Sequence, residues 1–298
     1  MKESFECEFF VTKLFLNNRI IEADAALVSV DERGFRFGDG VFETIPVHDG
    51  IPYLFEYHHQ RLEEGLKALR IASDTAALPV HALQLIQENR IGEGMLRMYI
   101  SRGIGSRGYL PASATQPATL IMQTLPFPLK PREPVSLWLS GYEKISPRAL
   151  PVHCKLAQGV NATLARMEAQ DHDCYEALQC DAEGFLSEAS SANLFWLRNG
   201  TLFTPSLACG ALAGVTRRRL LELAPCSVQE GRFTLDDLRQ AEAVFITNTA
   251  SGILPVDCLL PQGFIWDSAH HAAPFIALRN RDIADYARRA RDNAIYAG

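Results

Sequence analysis

Lysine is scarce in this chain: six lysines stand against 23 arginines in 298 residues, so each lysine can be weighed singly. An excess of positive charge is also missing. The formal net charge is -6, which leaves no basic footprint of the kind nucleic-acid binding requires. No apolar run reaches the ~20 residues of a membrane-spanning helix. The acidic start Met1-Lys2-Glu3-Ser4-Phe5-Glu6 has none of the apolar core of a secretory signal. The seven cysteines are odd in number, scattered and without C-x-x-C spacing, which argues against a disulfide framework or a zinc site. His58 and His59 are adjacent, but no further ligand spacing accompanies them, so no metal is expected. These absences predict a soluble, cytoplasmic protein that binds neither membrane nor nucleic acid.

The remaining composition is that of an ordinary globular protein, 47% hydrophobic and 21% charged. Short strands are predicted over Phe9–Thr12, Leu14–Leu16, Ile20–Ile21 and Ala26–Val30, with a turn at Asn17-Asn18. Another turn at Asp49-Gly50 precedes a strand-like run over Ile51–Phe55. From His58 the apolar spacing of Leu62, Leu66 and Leu69 is helical, and a second helix covers Pro79–Asn89. Strands follow at Met95–Ile100 and Ala118–Gln123. Four prolines between Leu125 and Pro134 predict a stiff, extended connection. The expected division is therefore a first domain over 1–124, a linker over 125–134 and a second domain over 135–298. Beyond the linker, strands are predicted over Ser136–Gly141, Glu176–Cys180, Asn193–Leu197, Thr201–Thr204 and Ala243–Thr247. Helices are predicted after Lys155, after Gly214 and over Ile276–Ala290. The fold class expected is α+β or mixed α/β, not a doubly wound sheet.

Lys155 ends the extended stretch Ala149–Lys155 and opens an amphipathic run through Leu156, Val160, Leu164 and Met167. Most lysines are solvated surface residues. Here Val152, Cys154, Leu156 and Ala157 surround it with apolar or small side chains, which favours a desolvated amine able to attack an aldehyde. About thirty residues on, Glu188 stands in the apolar and small frame Phe185–Phe195. By default it is the polar face of a half-buried strand. Paired with Lys155, it is the acid that could hold a pyridinium nitrogen while the lysine forms a Schiff base. Gly210–Arg217 supplies a glycine loop before a helix, a common turn that can also bind phosphate. The turn Thr247–Gly252 is a second polar loop with anion-binding potential. Arg61 is either a helix-surface residue or a phosphate clamp.

Taken in order, these pieces resemble the fold-type IV pyridoxal phosphate enzymes. That family holds the class IV aminotransferases, including branched-chain and D-amino acid aminotransferases, and the 4-amino-4-deoxychorismate lyases. The resemblance runs from Asp31-Glu32-Arg33-Gly34 and Phe37–Thr44 through His58–Leu62, Lys155 and Glu188. It continues through Asn193-Leu194-Phe195, Gly214–Arg217 and Pro255-Val256. It implies a two-domain fold like that of D-amino acid aminotransferase, pyridoxal 5'-phosphate bound between the domains, and a homodimer. It implies that Lys155 is the Schiff-base lysine and Glu188 the pyridinium partner. Arg61, Val215, Thr216 and Thr249 would hold the phosphate, and Ala250 would offer an amide to the substrate carboxylate.

Within the family, Ser101–Tyr109 is similar to the S-R-G-x-G-x-R-G-Y segment of the lyases, whose arginines, Arg107 among them, suit a substrate with two carboxylates. Val160 stands where branched-chain aminotransferases have a tyrosine, and Phe37 replaces a second one. Against this, Leu156–Val160 departs from the lyase run, while Glu43 and Arg97 fit the aminotransferase pattern. The expectation is a lyase that releases pyruvate and the folate precursor 4-aminobenzoate. A branched-chain or D-amino acid aminotransferase is the alternative, and an inactive binding protein on the same scaffold is the third reading.

Overall fold

A computed structural model describes residues 12–105, 108–111, 117–131 and 134–291. The first sheet uses β1 (Lys13–Leu16), β2 (Arg19–Glu22), β3 (Gly40–His48), β4 (Ile51–Pro52), β5 (Gly94–Ser101) and β6 (Thr119–Leu125). Its order is β2-β1-β6-β5-β3-β4, and every pairing is antiparallel. A short helix α1 (Arg33–Phe37) precedes β3, and α2 (Phe55–Leu69) and α3 (Leu78–Glu88) pack on one face of the sheet. Alternate residues of β3 and β5, including Ile45, Leu96, Met98 and Ile100, meet Leu62, Leu66, Leu78 and Leu85 of the helices in one buried core.

The second sheet begins with β7 (Val135–Leu139), after which come α4 (Val160–Asp171), β8 (Glu176–Cys180), β9 (Leu186–Ala189), β10 (Asn193–Arg198) and β11 (Thr201–Pro205). Next are α5 (Val215–Leu223), β12 (Ser227–Gly231), α6 (Leu235–Arg239), β13 (Ala243–Asn248), β14 (Gly252–Leu260), β15 (Phe264–Ile265) and α7 (Ser268–Arg291). The order β12-β11-β10-β13-β14-β7-β8-β9 bends back on itself, because β9 also pairs with β10 through Glu188 and Asn193. Side chains alternate along β10. Trp196 points into a core with Leu137, Val244 and Val256, while Phe195 packs with Phe245, Phe275 and Leu220 under α5 and α7.

Three expectations change. Ala26–Val30 is not a strand; it is an unpaired segment whose Leu27 and Val30 are exposed. The run over Ile51–Phe55 stops as a strand at Pro52, and α2 begins at Phe55. The apolar stripe after Lys155 does form a helix, but Val160, Leu164 and Met167 face outward while Ala165 and Ala169 pack beneath. The expected strand at Phe9–Thr12 falls almost wholly outside the described residues.

α7 ties the two sheets together. Its Asp282 accepts from Tyr53 at 2.5 Å, and Ala287 and Ala290 pack on Ile51 of β4. Between the sheets, Lys155 lies in an extended segment that pairs with the start of β3. Phe42 N donates to Lys155 O at 3.0 Å and Ala157 N to Gly40 O at 2.9 Å. The lysine is thus held by the first sheet, although its chain neighbours lead into the second.

Candidate active site

A cavity of about 480 Å³ is lined by Arg61, Lys155, Glu188, Ser190, Asn193, Val215, Thr216, Thr247 and Thr249, with others between them. Residues read separately from the sequence therefore converge on one space. Lys155 is half-buried because its amine faces this cavity, yet protein surrounds it closely enough to desolvate the charge. Burial first, and then the nearby Arg61, bring its pKa down to about 8, against the pull of Glu43 and Glu188. Its Nζ sits 4.4 Å from the centre of the Phe42 ring. Arg97 lies 5.3 Å from the same ring and is itself exposed.

Glu188 is buried and held at both oxygens. Lys144 Nζ is 2.6 Å from Oε1, and Asn193 Nδ2 donates to Oε2 at 2.8 Å. Asn193 also donates to the Leu212 carbonyl at 2.9 Å, which ties the acid to the loop before α5. Gly214 ends that loop and must lack a side chain, since a Cβ there would lie 2.0 Å from Asn193 Oδ1. The amides of Val215 and Thr216 stand in the first turn of α5, where helical N–H groups have no intrahelical acceptor. N–H groups in that position can receive an anion at that end of the cavity.

Arg61 reaches it from α2. Its guanidinium is gripped from behind by Glu43, with Nε to Oε1 at 2.7 Å and Nη2 to Oε2 at 2.6 Å, and Nη1 donates to the Ala213 carbonyl. Glu43 is fully buried, and burial alone would raise its carboxyl. The Arg61 charge, His58 and the hydrogen bonds from both together outweigh that and hold it at about 2. His58 donates Nδ1–H to Glu43 at 2.6 Å, and burial pushes its own pKa down, so it stands there as a neutral ring. Thr249 closes the cavity from the β13–β14 turn, its hydroxyl donating to the Thr44 carbonyl of β3 at 3.1 Å.

Other assignments fare differently. Ala250 lies in the same turn but is not part of the cavity lining, and Arg107 falls outside the described residues. Arg102 of the same segment is fully engaged elsewhere. It pairs with Asp39 at 2.8 Å and donates to the Leu69 and Arg70 carbonyls. Arg33 likewise serves structure, holding the Gly108 and Tyr109 carbonyls. Lys144 was not found from the sequence. It is 44 residues from Glu188 and nothing local marks it, whereas Asn193 sits within the same motif as the acid.

The donor set fits pyridoxal 5'-phosphate. A weakly basic amine, an ion-paired carboxylate and an amide-rich seat line one cavity, and the buried Thr247 hydroxyl in its wall lacks a hydrogen-bond partner. The family model for amino-transferase class IV matches residues 40–258. The chain belongs to that family. A protein of Methanocaldococcus jannaschii named for branched-chain-amino-acid aminotransferase is 33% identical over 82% of this chain and 86% of its own length. The aminodeoxychorismate lyase of Bacillus subtilis is 30% identical over 81% and 85%. The solved 4-amino-4-deoxychorismate lyase of Pseudomonas aeruginosa superposes with a TM-score of 0.77 at 31% identity, covering 95% of this chain and 99% of that one. This class IV protein is thus a mixed α/β, fold-type IV enzyme that uses pyridoxal 5'-phosphate, and both lyases and aminotransferases are among its relatives.

Proposed function

We propose that this enzyme is a 4-amino-4-deoxychorismate lyase that releases pyruvate and 4-aminobenzoate. In this reading Lys155 attaches the cofactor, Glu188 faces its ring nitrogen, and Arg61, Val215, Thr216 and Thr249 hold its phosphate. When bound, the cofactor supplies an electron sink for the carbon bearing the substrate's amino group. Lys155 Nζ accepts the proton from that carbon, a role suited to an amine with a pKa of about 8. Loss of that proton breaks the ether bond to the enolpyruvyl group, which leaves as pyruvate once protonated. Lys144 and Asn193 fix the Glu188 carboxylate, and Glu43 fixes the Arg61 fork. Arg97, Arg107 and the Ala250 amide are the proposed contacts for substrate carboxylates.

The observation that carries the lyase reading is at α4. Where branched-chain aminotransferases place a tyrosine against the cofactor, this chain has Val160, which is 67% exposed and outside the cavity lining. The 31% identity to the Pseudomonas lyase supports the same choice. The aminotransferase reading draws on Glu43, on Arg97 beside Phe42 and on the archaeal relative. The deciding assay offers aminodeoxychorismate and, separately, branched-chain or D-amino acids with 2-oxoglutarate. Pyruvate and 4-aminobenzoate are expected from the first and no keto acid from the others. Transamination without 4-aminobenzoate would replace the lyase by the aminotransferase.

The proposed organisation is a cytoplasmic homodimer of two-domain chains divided at 125–134. Val30, Phe35, Ile104 and Tyr109 are exposed apolar side chains on neighbouring segments, joined by the Glu32–Ile104 bridge and the Phe37–Tyr109 ring contact. A second copy covering them would account for that exposure. Among the described residues no helix is long and apolar enough to cross a membrane.

A further inference from the structure

Behind the Thr249 turn stands a cation that the reaction does not employ. Arg279 of α7 lies under the turn from 249 to 252, so close to Gly252 that a Cβ there would sit 2.9 Å from its Nη1. Its Nη2 donates to the Thr249 carbonyl at 3.4 Å, a long contact. Its Nε is enclosed and has no hydrogen-bond partner. Among the described residues no carboxylate forms an ion pair with it. Asp282, less than one turn further along α7, is already engaged by Tyr53 and Arg219. Burial lowers its pKa from the ordinary guanidinium value against the pull of Tyr53 and Asp282, and the residue as a whole is half-buried. An arginine keeps its charge even so.

A half-buried charge without a direct ion pair is costly to a fold, and a bound anion would offset that cost. The surroundings say which anion. Arg279 lines a narrow crevice with Tyr53, Thr216 and Ile253, and Thr216 is also a wall of the cofactor cavity. Thr249, its hydrogen-bond partner among the described residues, lines the cofactor cavity too. The guanidinium therefore touches one hydroxyl residue of the proposed phosphate seat and shares a cavity wall with the other.

We propose that Arg279 is a positioning residue for that seat: it anchors the Thr249 carbonyl from behind and adds positive charge that favours a dianionic phosphate over a neutral ligand. This rests on reading Arg61, Thr216 and Thr249 as the phosphate site. Its ligand chemistry is a phosphate monoester, and its effect is on affinity instead of on the bond-breaking step.

The test titrates the apoenzyme with pyridoxal 5'-phosphate and with pyridoxal, which carries the same aldehyde and ring without the phosphate, reading the visible absorbance band. Arg279→Met is expected to weaken the phosphorylated ligand about tenfold and leave pyridoxal unchanged. Arg279→Lys, which keeps the charge, should stay within about threefold of wild type, and Arg279→Gln should resemble Arg279→Met. Near-ultraviolet circular dichroism of each apo variant reports whether the fold is kept; if the Met variant is lost, the Lys and Gln pair decides. Equal weakening of both ligands, or of neither, would overturn the proposal, because a purely structural arginine has no reason to sense the phosphate. Arg61→Ala is the control for the underlying reading. If it too treats both ligands alike, the phosphate assignment fails. If it discriminates between them while Arg279→Met does not, only the role of Arg279 fails.

Discussion

Lys155 shows what a reactive amine demands of its surroundings. With its pKa moved from 10.5 to about 8, the neutral fraction at pH 7 rises from about 0.03% to about 10%. The same shift is a stability statement. Below pH 8 the amine is charged whether the chain is folded or not, and the full cost of burying it is present. Between pH 8 and 10.5 the folded state has shed a proton that the unfolded chain still binds, so stability rises with pH. Lys155→Met is therefore expected to stabilise the apoenzyme at pH 7 by up to about 3 kcal/mol, an advantage that fades between pH 8 and 10.5. Chemical denaturation at pH 7 and pH 10.5 measures it, and a variant no more stable than wild type at pH 7 would mean that the amine is well hydrated. Lys155 and Glu188 could be picked out in the sequence because each breaks the character of its neighbours. Lys144 and Arg279 could not, since a lysine in a loop and an arginine in an amphipathic helix look alike whether they face water or the walls of a cavity.

At the scale of elements, the start of α5 depends on Gly214. A methyl group there would collide with Asn193, which holds both Glu188 and the Leu212 carbonyl. Gly214→Ala is expected to weaken cofactor binding at least tenfold with helix content unchanged. Absorbance titration and far-ultraviolet circular dichroism check the two halves of that statement, and unaltered affinity would show that the loop can yield. Helices α2, α3, α5 and α7 and most central strands follow from apolar periodicity, because their buried faces repeat at the spacing of the element. Periodicity misleads at α4. Its largest apolar side chains face outward and only Ala165 and Ala169 pack inward, so the stripe marks a surface and not a core. It misleads also at Ala26–Val30, where apolar composition imitates a strand in a segment that pairs with nothing.

At the scale of the molecule, the exposed apolar side chains between Val30 and Tyr109 predict assembly. Phe35, 77% exposed, is the one to change: Phe35→Asp is expected to convert a dimer into a monomer of unchanged fold, read by light scattering after size exclusion. A wild-type protein that is already monomeric would remove the dimer from the proposal. Sequence order picked out Arg61, Lys155, Glu188, Val215, Thr216 and Thr249, which line the cavity, yet not how they meet, because that depends on contacts between β3 and the segment at Lys155 more than a hundred positions apart. Those contacts have a bearing on biosynthesis. A nascent polypeptide that has made only its leading half lacks Lys155, and a trailing half alone would leave it without its backbone pairing to β3 and without the Phe42 and Arg61 side chains beside its amine. The lowered basicity of this amine therefore arises only once both ends of the protein have come together.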